Sequence, residues 1–357
     1  MNKKIGIVSK VVIFIIIFAI LNSVMTFVLC AEDSYSEIMW NEYYEMSELD
    51  MVYVGSSVCQ CSFNPYLIDE ILGTTSYNMG TPAQPVDLTL QAIKIAIEEH
   101  NIKRVVWGFG YFVFLTENST SAETSFLRAL NKNKTLSEKI AIDLSYVFAD
   151  DTIGKSKSVN YVFPWVYNHV PLSVNDVVSN VRNKFMNRNS EHTLQVEAEN
   201  IAYVGRGFSN YLPVIDYSTQ YDENSREFYQ SEIKEKSVRE MQEIGELCEK
   251  YGVELIIVNT PRPVFDVAEY GDEYYEIYLW LKELFASYNA EYFDFNLAKP
   301  EIFESRPEYY YNYEHLNSAG AQAFSQDFAY FLQMKNEGTD MNQFFYNWEE
   351  YQATVNE

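Results

Sequence analysis

Met51-Val-Tyr-Val-Gly-Ser-Ser57 decides how the chain is read. Met51 to Val54 is a short run with no polar residue alternating in it. That is the pattern of a strand covered on both faces, as in a parallel sheet. Gly55 punctuates the run as a turn. In such sheets ligands bind beyond the carboxyl ends of the strands, so Ser57 stands at the edge where chemistry is expected.

Working outward, the same grammar recurs. Thr74–Tyr77 reads as a second strand, ended by Asn78-Met79-Gly80, and Val105–Trp107 as a third, ended by Gly108. Between them, Leu90, Ile93 and Ile97 give Val86–His100 a helical spacing. Ser231–Tyr251 carries Met241, Ile244, Leu247 and Cys248 at the same spacing, and Gly252 stops it. Val253–Val258 then reads as a fourth strand, Tyr274–Tyr288 as a helix and Glu291–Asp294 as a fifth strand. The last helix begins at Ser318 behind Asn317, an N-cap residue, with Phe324, Phe328 and Phe331 along one face.

Strands alternating with helices predict a three-layer α/β/α domain with a five-stranded, mainly parallel, flavodoxin-like sheet. Residues 49–110 and 225–335 make up this expected core. Residues 111–224 break the alternation and are too long for an unstructured connection. They hold helix-like stretches at Leu136–Phe148 and Val174–Met186 and aromatic residues from Tyr161 to Trp165. They read as an inserted helical cap beside the site, or as decoration packed on the core. Residues 336–357 form an acidic, aromatic tail expected to fold back in part.

The first residues, 1–31, read as a membrane anchor or signal segment. Lys3, Lys4 and Lys10 precede an apolar run from Val11 to Cys30 in which only Asn22, Ser23 and Thr26 are polar. About twenty apolar residues span a bilayer, and the basic start places the N-terminus inside and the globular part outside. Cleavage near Ala31 is the competing reading, but VLCAE is a poor small-residue site. The expected location is therefore the cell membrane, single-pass, with an extracytoplasmic domain.

The chain has 26 Lys+Arg against 51 Asp+Glu, a formal charge of −25. That excludes nucleic acid as a partner, which needs clustered basic residues. Cys59 and Cys61 are too close for an ordinary bridge, and no zinc spacing accompanies Cys30 or Cys248. No metal and no cofactor are expected.

Candidate chemistry gathers at the strand ends. Ser57 opens the helix after strand one and can draw on backbone N–H donors there. Gly80, after strand two, lets a backbone N–H approach a reacting oxygen. His315 stands just before the last helix, with the carboxamide of Asn312 three residues earlier, a base with an orienting partner. Arg262, in Thr260-Pro-Arg-Pro263 after strand four, suits an anionic substrate group or a surface ion pair. Gly205-Arg-Gly207, His169 and His192 carry no decisive pattern.

The run Met51–Pro65, then Tyr77-Asn-Met-Gly80, then His315-Leu-Asn317 with Gly320-Ala321, resembles the SGNH/GDSL hydrolase superfamily. It is most similar to that superfamily's membrane-anchored extracytoplasmic branch, which serves D-alanine transfer to teichoic acids and O-acetylation of polysaccharides. The resemblance implies Ser57 as nucleophile and His315 as general base. It implies an oxyanion hole from the Ser57 and Gly80 N–H groups, with Gly110 in the third position. Two departures stand out. Asn312 occupies the place of the family's Asp. Gly110 lies in Gly108-Phe-Gly-Tyr111, where the family usually has an Asn, so that side-chain donor is missing. The implied activity is a serine esterase or O-acyltransferase acting on cell-envelope glycopolymers. Its implied partners are an acylated envelope polysaccharide or teichoic-acid-like polymer and a membrane O-acyltransferase. The alternative is a non-catalytic binding or assembly protein on the same fold.

Overall fold

The structure, a computed structural model, describes residues 2–30, 35–114, 134–147, 163–166, 169–186, 201–212, 233 and 235–355. Phe148, Tyr161 and His192 lie outside these residues. In chain order the elements are α1 (Asn2–Leu29), α2 (Tyr35–Tyr43), β1 (Met51–Gly55), α3 (Ser57–Ser62), α4 (Pro65–Leu72), β2 (Ser76–Asn78), α5 (Val86–His100) and β3 (Arg104–Phe109). There follow α6 (Leu136–Val147), α7 (Val174–Met186), β4 (Ile201–Gly205), β5 (Phe208–Tyr211), α8 (Glu235–Tyr251) and β6 (Glu254–Asn259). The chain ends with α9 (Val264–Ala286), β7 (Glu291–Asp294), α10 (Ser318–Asn336) and α11 (Trp348–Val355). They divide between two compact units, Met1–Ile38 with Ser119–Leu194, and Met39–Asn118 with Gln195–Glu357.

The second unit is built on a five-stranded parallel sheet in the order β2-β1-β3-β6-β7. Counted along the sheet's own strands this is 2-1-3-4-5, a doubly wound order whose ligand crevice falls at the carboxyl end of the first strand. Both faces are apolar because both are covered. On one face Tyr53, Val106, Ile256, Val258 and Phe293 pack with Phe63 just after α3, Ile68 of α4 and Phe324, Phe328 and Phe331 of α10. The alternate residues Val52, Val54, Val105, Trp107, Leu255 and Ile257 are equally buried. On their side α5 lies against β1 and α8 against β6, and the two helices pack together.

Two helices that periodicity does not reveal, α3 and α4, make the connection from β1 to its neighbour β2. The first has only six residues, too few to display a period. The second starts at Pro65 behind Asn64, whose side chain accepts from the Tyr66 N–H, a proline-at-first-turn start. Helix α9 begins ten residues before the predicted Tyr274.

The segment 111–224 is distributed over both units. Its described residues 201–212 form a hairpin with the core, turning at Arg206 (φ 48°) and Gly207 (φ 74°). Two positive φ values in a two-residue loop define a type I′ turn, which matches the twist of the strands it joins. Gly207 is obligatory for a second reason. A Cβ there would lie 1.6 Å from the Asn78 carbonyl oxygen. Asn78 N–H donates to the Arg206 carbonyl at 3.0 Å and Arg206 pairs with Asp69 at 2.6 Å, so the turn is pinned beside β2. The tail also joins the core: Met341 is buried in it and Phe345 bridges to Ala298.

In the first unit, Ile7–Leu29 of α1 has a mean hydropathy of 2.8, contains no fully buried residue, and is long and apolar enough to cross a membrane. Helix α7 and the stretch Phe163–Val166 pack against it.

Candidate active site

From Met51 to Phe63 every residue is buried except Ser57. The reason is local. Gly55 adopts φ 141°, open to glycine alone, and a Cβ on it would meet the Gly108 carbonyl oxygen at 2.2 Å. With Gly108 bare as well, Cys59 seats α3 directly on the ends of β1 and β3. Ser57 is then the first residue of a helix that starts hard against the sheet edge. Its N–H precedes any carbonyl that could accept it within the helix.

His315 arrives from the far end of the chain on a short loop. Tyr310 and Leu316 bridge across the loop's base, and the Tyr311 N–H donates to the His315 carbonyl at 2.8 Å. Asn317 locks the arrangement. Its Oδ1 caps α10 by accepting from Ala319 and Gly320 at 3.0 Å each. Its Nδ2 donates back to the carbonyls of Glu308 (2.7 Å) and Tyr310 (3.2 Å). One buried side chain thus ties the helix start to the loop that carries the imidazole.

The three residues expected to act together form one chain of hydrogen bonds. Ser57 Oγ lies 2.8 Å from His315 Nε2, and His315 Nδ1 lies 3.0 Å from Asn312 Oδ1. The proton positions follow from the amide. Asn312 Oδ1 also accepts from the backbone N–H groups of Glu314 and His315, both at 2.9 Å. It is therefore an acceptor toward the ring, so Nδ1 bears the hydrogen and Nε2 offers its lone pair to the Ser57 hydroxyl.

Electrostatics keep that imidazole neutral. Burial, and secondarily the positive charge of Arg262, hold the His315 pKa down at about 4. The Tyr211 ring stacks on the imidazole with centroids 5.1 Å apart and planes 11° apart, and Tyr311 leans on Tyr211 at 5.0 Å. Tyr211 is the last residue of β5, so the hairpin pinned at Gly207 supplies one wall of the site. Gln60 of α3 reinforces it, donating to Ser209 Oγ at 3.1 Å. Sequence reasoning did not find Tyr211. The only local sign was the turn sequence Gly205-Arg-Gly207, which marks a hairpin but not its destination.

The expected oxyanion donors are unequal. The Ser57 N–H sits as described. The Gly80 N–H donates to Asn78 Oδ1 at 2.9 Å, so a substrate oxygen would compete with an existing bond. Gly110 is buried just after β3, and its carbonyl accepts from Val113 at 3.0 Å; it brings no side-chain donor. Arg262 is placed by its backbone N–H, which donates to Asn296 Oδ1 at 2.7 Å. Asn296 is in turn held by Asp294 Oδ1 at 2.9 Å and by the Thr260 carbonyl at 3.2 Å. Asp294 also accepts from Tyr274 at 2.6 Å and Tyr292 at 3.3 Å. Its bonds therefore organise the strand-four loop, not the imidazole.

No family model matches the chain, and no curated protein does. Among solved structures, one described as "a putative platelet activating factor from Streptococcus pneumonia" is similar, with 11% identity. The match covers 84% of this chain and 92% of that one at a TM-score of 0.35, too low to carry any argument.

Proposed function

We propose that the chain is an SGNH-type serine esterase or O-acyltransferase that works outside the membrane on acylated cell-envelope glycopolymers. The observation that supports this most is the continuous chain Ser57 Oγ, His315 Nε2, His315 Nδ1, Asn312 Oδ1 at the crevice of a doubly wound sheet. In the proposed reaction Nε2 takes the Ser57 proton as Oγ attacks an ester carbonyl. The developing oxyanion faces the Ser57 N–H. Collapse breaks the ester C–O bond, and the imidazolium returns its proton to the departing alcohol oxygen. Water, or a sugar hydroxyl, then attacks the acyl-enzyme by the same route and Ser57 is regenerated. A membrane O-acyltransferase is the natural supplier or receiver of the acyl group in this reading. The apolar helix behind Lys3, Lys4 and Lys10 supports the outward orientation.

A second reading is a non-catalytic binding protein on the same fold. The neutral Asn312 and the engaged Gly80 N–H favour it. A serine-reactive fluorophosphonate applied to the full chain in detergent separates the two. Labelling that disappears in Ser57→Ala supports the enzyme. No labelling and no ester turnover, with native circular dichroism and retained polymer binding, leaves the second reading standing.

A further inference from the structure

We propose that α7, with the Phe163–Trp165 stretch that leads to it, is a membrane-docking element. It lies in the surface of the bilayer that α1 crosses, with its apolar face against lipid.

The first observation is how α7 is attached. The final carbonyls of a helix have no partner within it. At the end of α1, Asn180 Nδ2 donates to the carbonyls of Val28 (2.9 Å) and Cys30 (3.0 Å). Lys184 Nζ donates to the Phe27 carbonyl at 2.6 Å and to that of Cys30, and the Val170 N–H donates to Leu29 at 2.9 Å. The ammonium sits at the negative end of the α1 dipole, its favourable place. These bonds set α7 level with residues 27–30, where the apolar run stops.

The second observation is what α7 leaves uncovered. At 3.6 residues per turn, Val174, Val178, Val181 and Phe185 fall within a sector of about 60°. Val174, Val178 and Phe185 are 79%, 59% and 62% exposed. Asp176, Ser179 and Asn183 occupy the opposite side, and Asn175 and Arg182 flank the stripe. A strongly two-sided helix of low overall hydrophobicity is the type that lies along a membrane surface.

The occupant follows from continuity. Phe185 meets Phe27 of α1 edge to face at 5.6 Å, so the apolar stripe of α7 runs directly into the uncovered surface of α1. A helix as apolar as α1 has lipid as its surroundings, and the same lipid continues over α7. Trp165 adds depth information. Its Nε1 donates to Asn22 Oδ1 at 2.8 Å. Asn22 lies seven residues before Leu29, about 10 Å of helix rise. That is the depth an interfacial element reaches, and tryptophan is the side chain suited to it.

The test uses the full chain in vesicles of phosphatidylcholine and phosphatidylglycerol. Single probes are attached at Val174→Cys, Val178→Cys, Ser179→Cys, Asn183→Cys and, within α1, Ile16→Cys. The four native cysteines are buried, which directs an environment-sensitive fluorophore to the introduced thiol. Nitroxide lipids report depth, and circular dichroism confirms that each variant is folded. The proposal expects shallow nitroxides to quench the probes at 174 and 178 at least threefold more than those at 179 and 183. It also expects deep nitroxides to quench the probe at 16. Equal quenching on both faces of α7 overturns it. So does an unquenched probe at 16, because α1 is then outside the bilayer. Cross-linking of Val178→Cys between copies, in place of lipid quenching, overturns it too and assigns the face to a second copy of the chain.

Discussion

Asn312→Asp tests the chemistry most directly. Asn312 Oδ1 already receives three donors, from two backbone N–H groups and the ring, an arrangement that suits a carboxylate as well as an amide. The substitution adds a negative charge next to the imidazole with little change of shape. At an effective dielectric of 20, unit charges 4 Å apart attract by about 4 kcal/mol. At 1.36 kcal/mol per pKa unit this is about three units before the new carboxylate's own desolvation is subtracted. The His315 pKa, at about 4 in the native chain, should therefore rise toward the ordinary histidine range. Stabilising the imidazolium should also raise turnover. In a serine protease the reverse change, Asp to Asn, cost about 10⁴ in kcat, so a gain of about 10²–10⁴ is expected here. The assay is hydrolysis of an activated acetate ester by the full chain in detergent from pH 3.5 to 9. NMR titration of the imidazole, assigned with His315→Gln, runs alongside. The native acid limb should lie near pH 4 and the variant's two or more units higher, with Ser57→Ala silent in both backgrounds. An imidazole pKa that moves by less than half a unit, or no gain in rate, would refute the placement of Asn312 behind His315.

Three further outcomes are expected. Arg262→Gln removes the positive charge that disfavours imidazolium, so the acid limb of the same profile should move upward while the melting temperature stays within a few degrees. Tyr211→Ala removes a buried ring from the imidazole face; it should destabilise by about 3 kcal/mol in urea unfolding and bring the His315 titration closer to neutral pH. Glu240 has its pKa raised to about 7 by burial first and by Asp87 second. The folded state then holds a proton between pH 4.5 and 7 that the unfolded chain has released, so stability falls as pH rises through that window. Glu240→Gln should flatten this dependence, which amounts to about 3 kcal/mol, in thermal melts from pH 4.5 to 8.

Much of the sheet was readable because its signals are local. Glu291–Asp294 and the Asn317 cap before Ser318 stand where the residues alone put them. Helix Val86–His100 does too, because its one-sided apolar spacing needs no tertiary knowledge. Ser57, Asn312 and His315 were legible as a set for a different reason: a doubly wound sheet brings the end of its first strand near the start of its last helix. What escaped was anything decided at a distance. The Tyr211 stack depends on where a hairpin docks, and docking depends on a glycine fitting under the Asn78 carbonyl. The Gly80 N–H was expected to point at a substrate, yet Asn78, two residues before it in the chain, takes it. No spacing rule reveals which of two nearby acceptors a backbone donor selects.

The bond between Ser57 and His315 joins residues 258 positions apart. At about 5–20 residues per second, a ribosome delivers the imidazole roughly 13–50 s after the serine. Over that interval β1 and α3 exist without the loop that Asn317 fastens. The Ser57 hydroxyl has no imidazole partner until β6 and β7 have joined the sheet and the start of α10 has docked. In the proposed function the assembly order of the fold is therefore also a timer, and truncation before Asn312 leaves a chain with Ser57 but with neither the imidazole nor its partner.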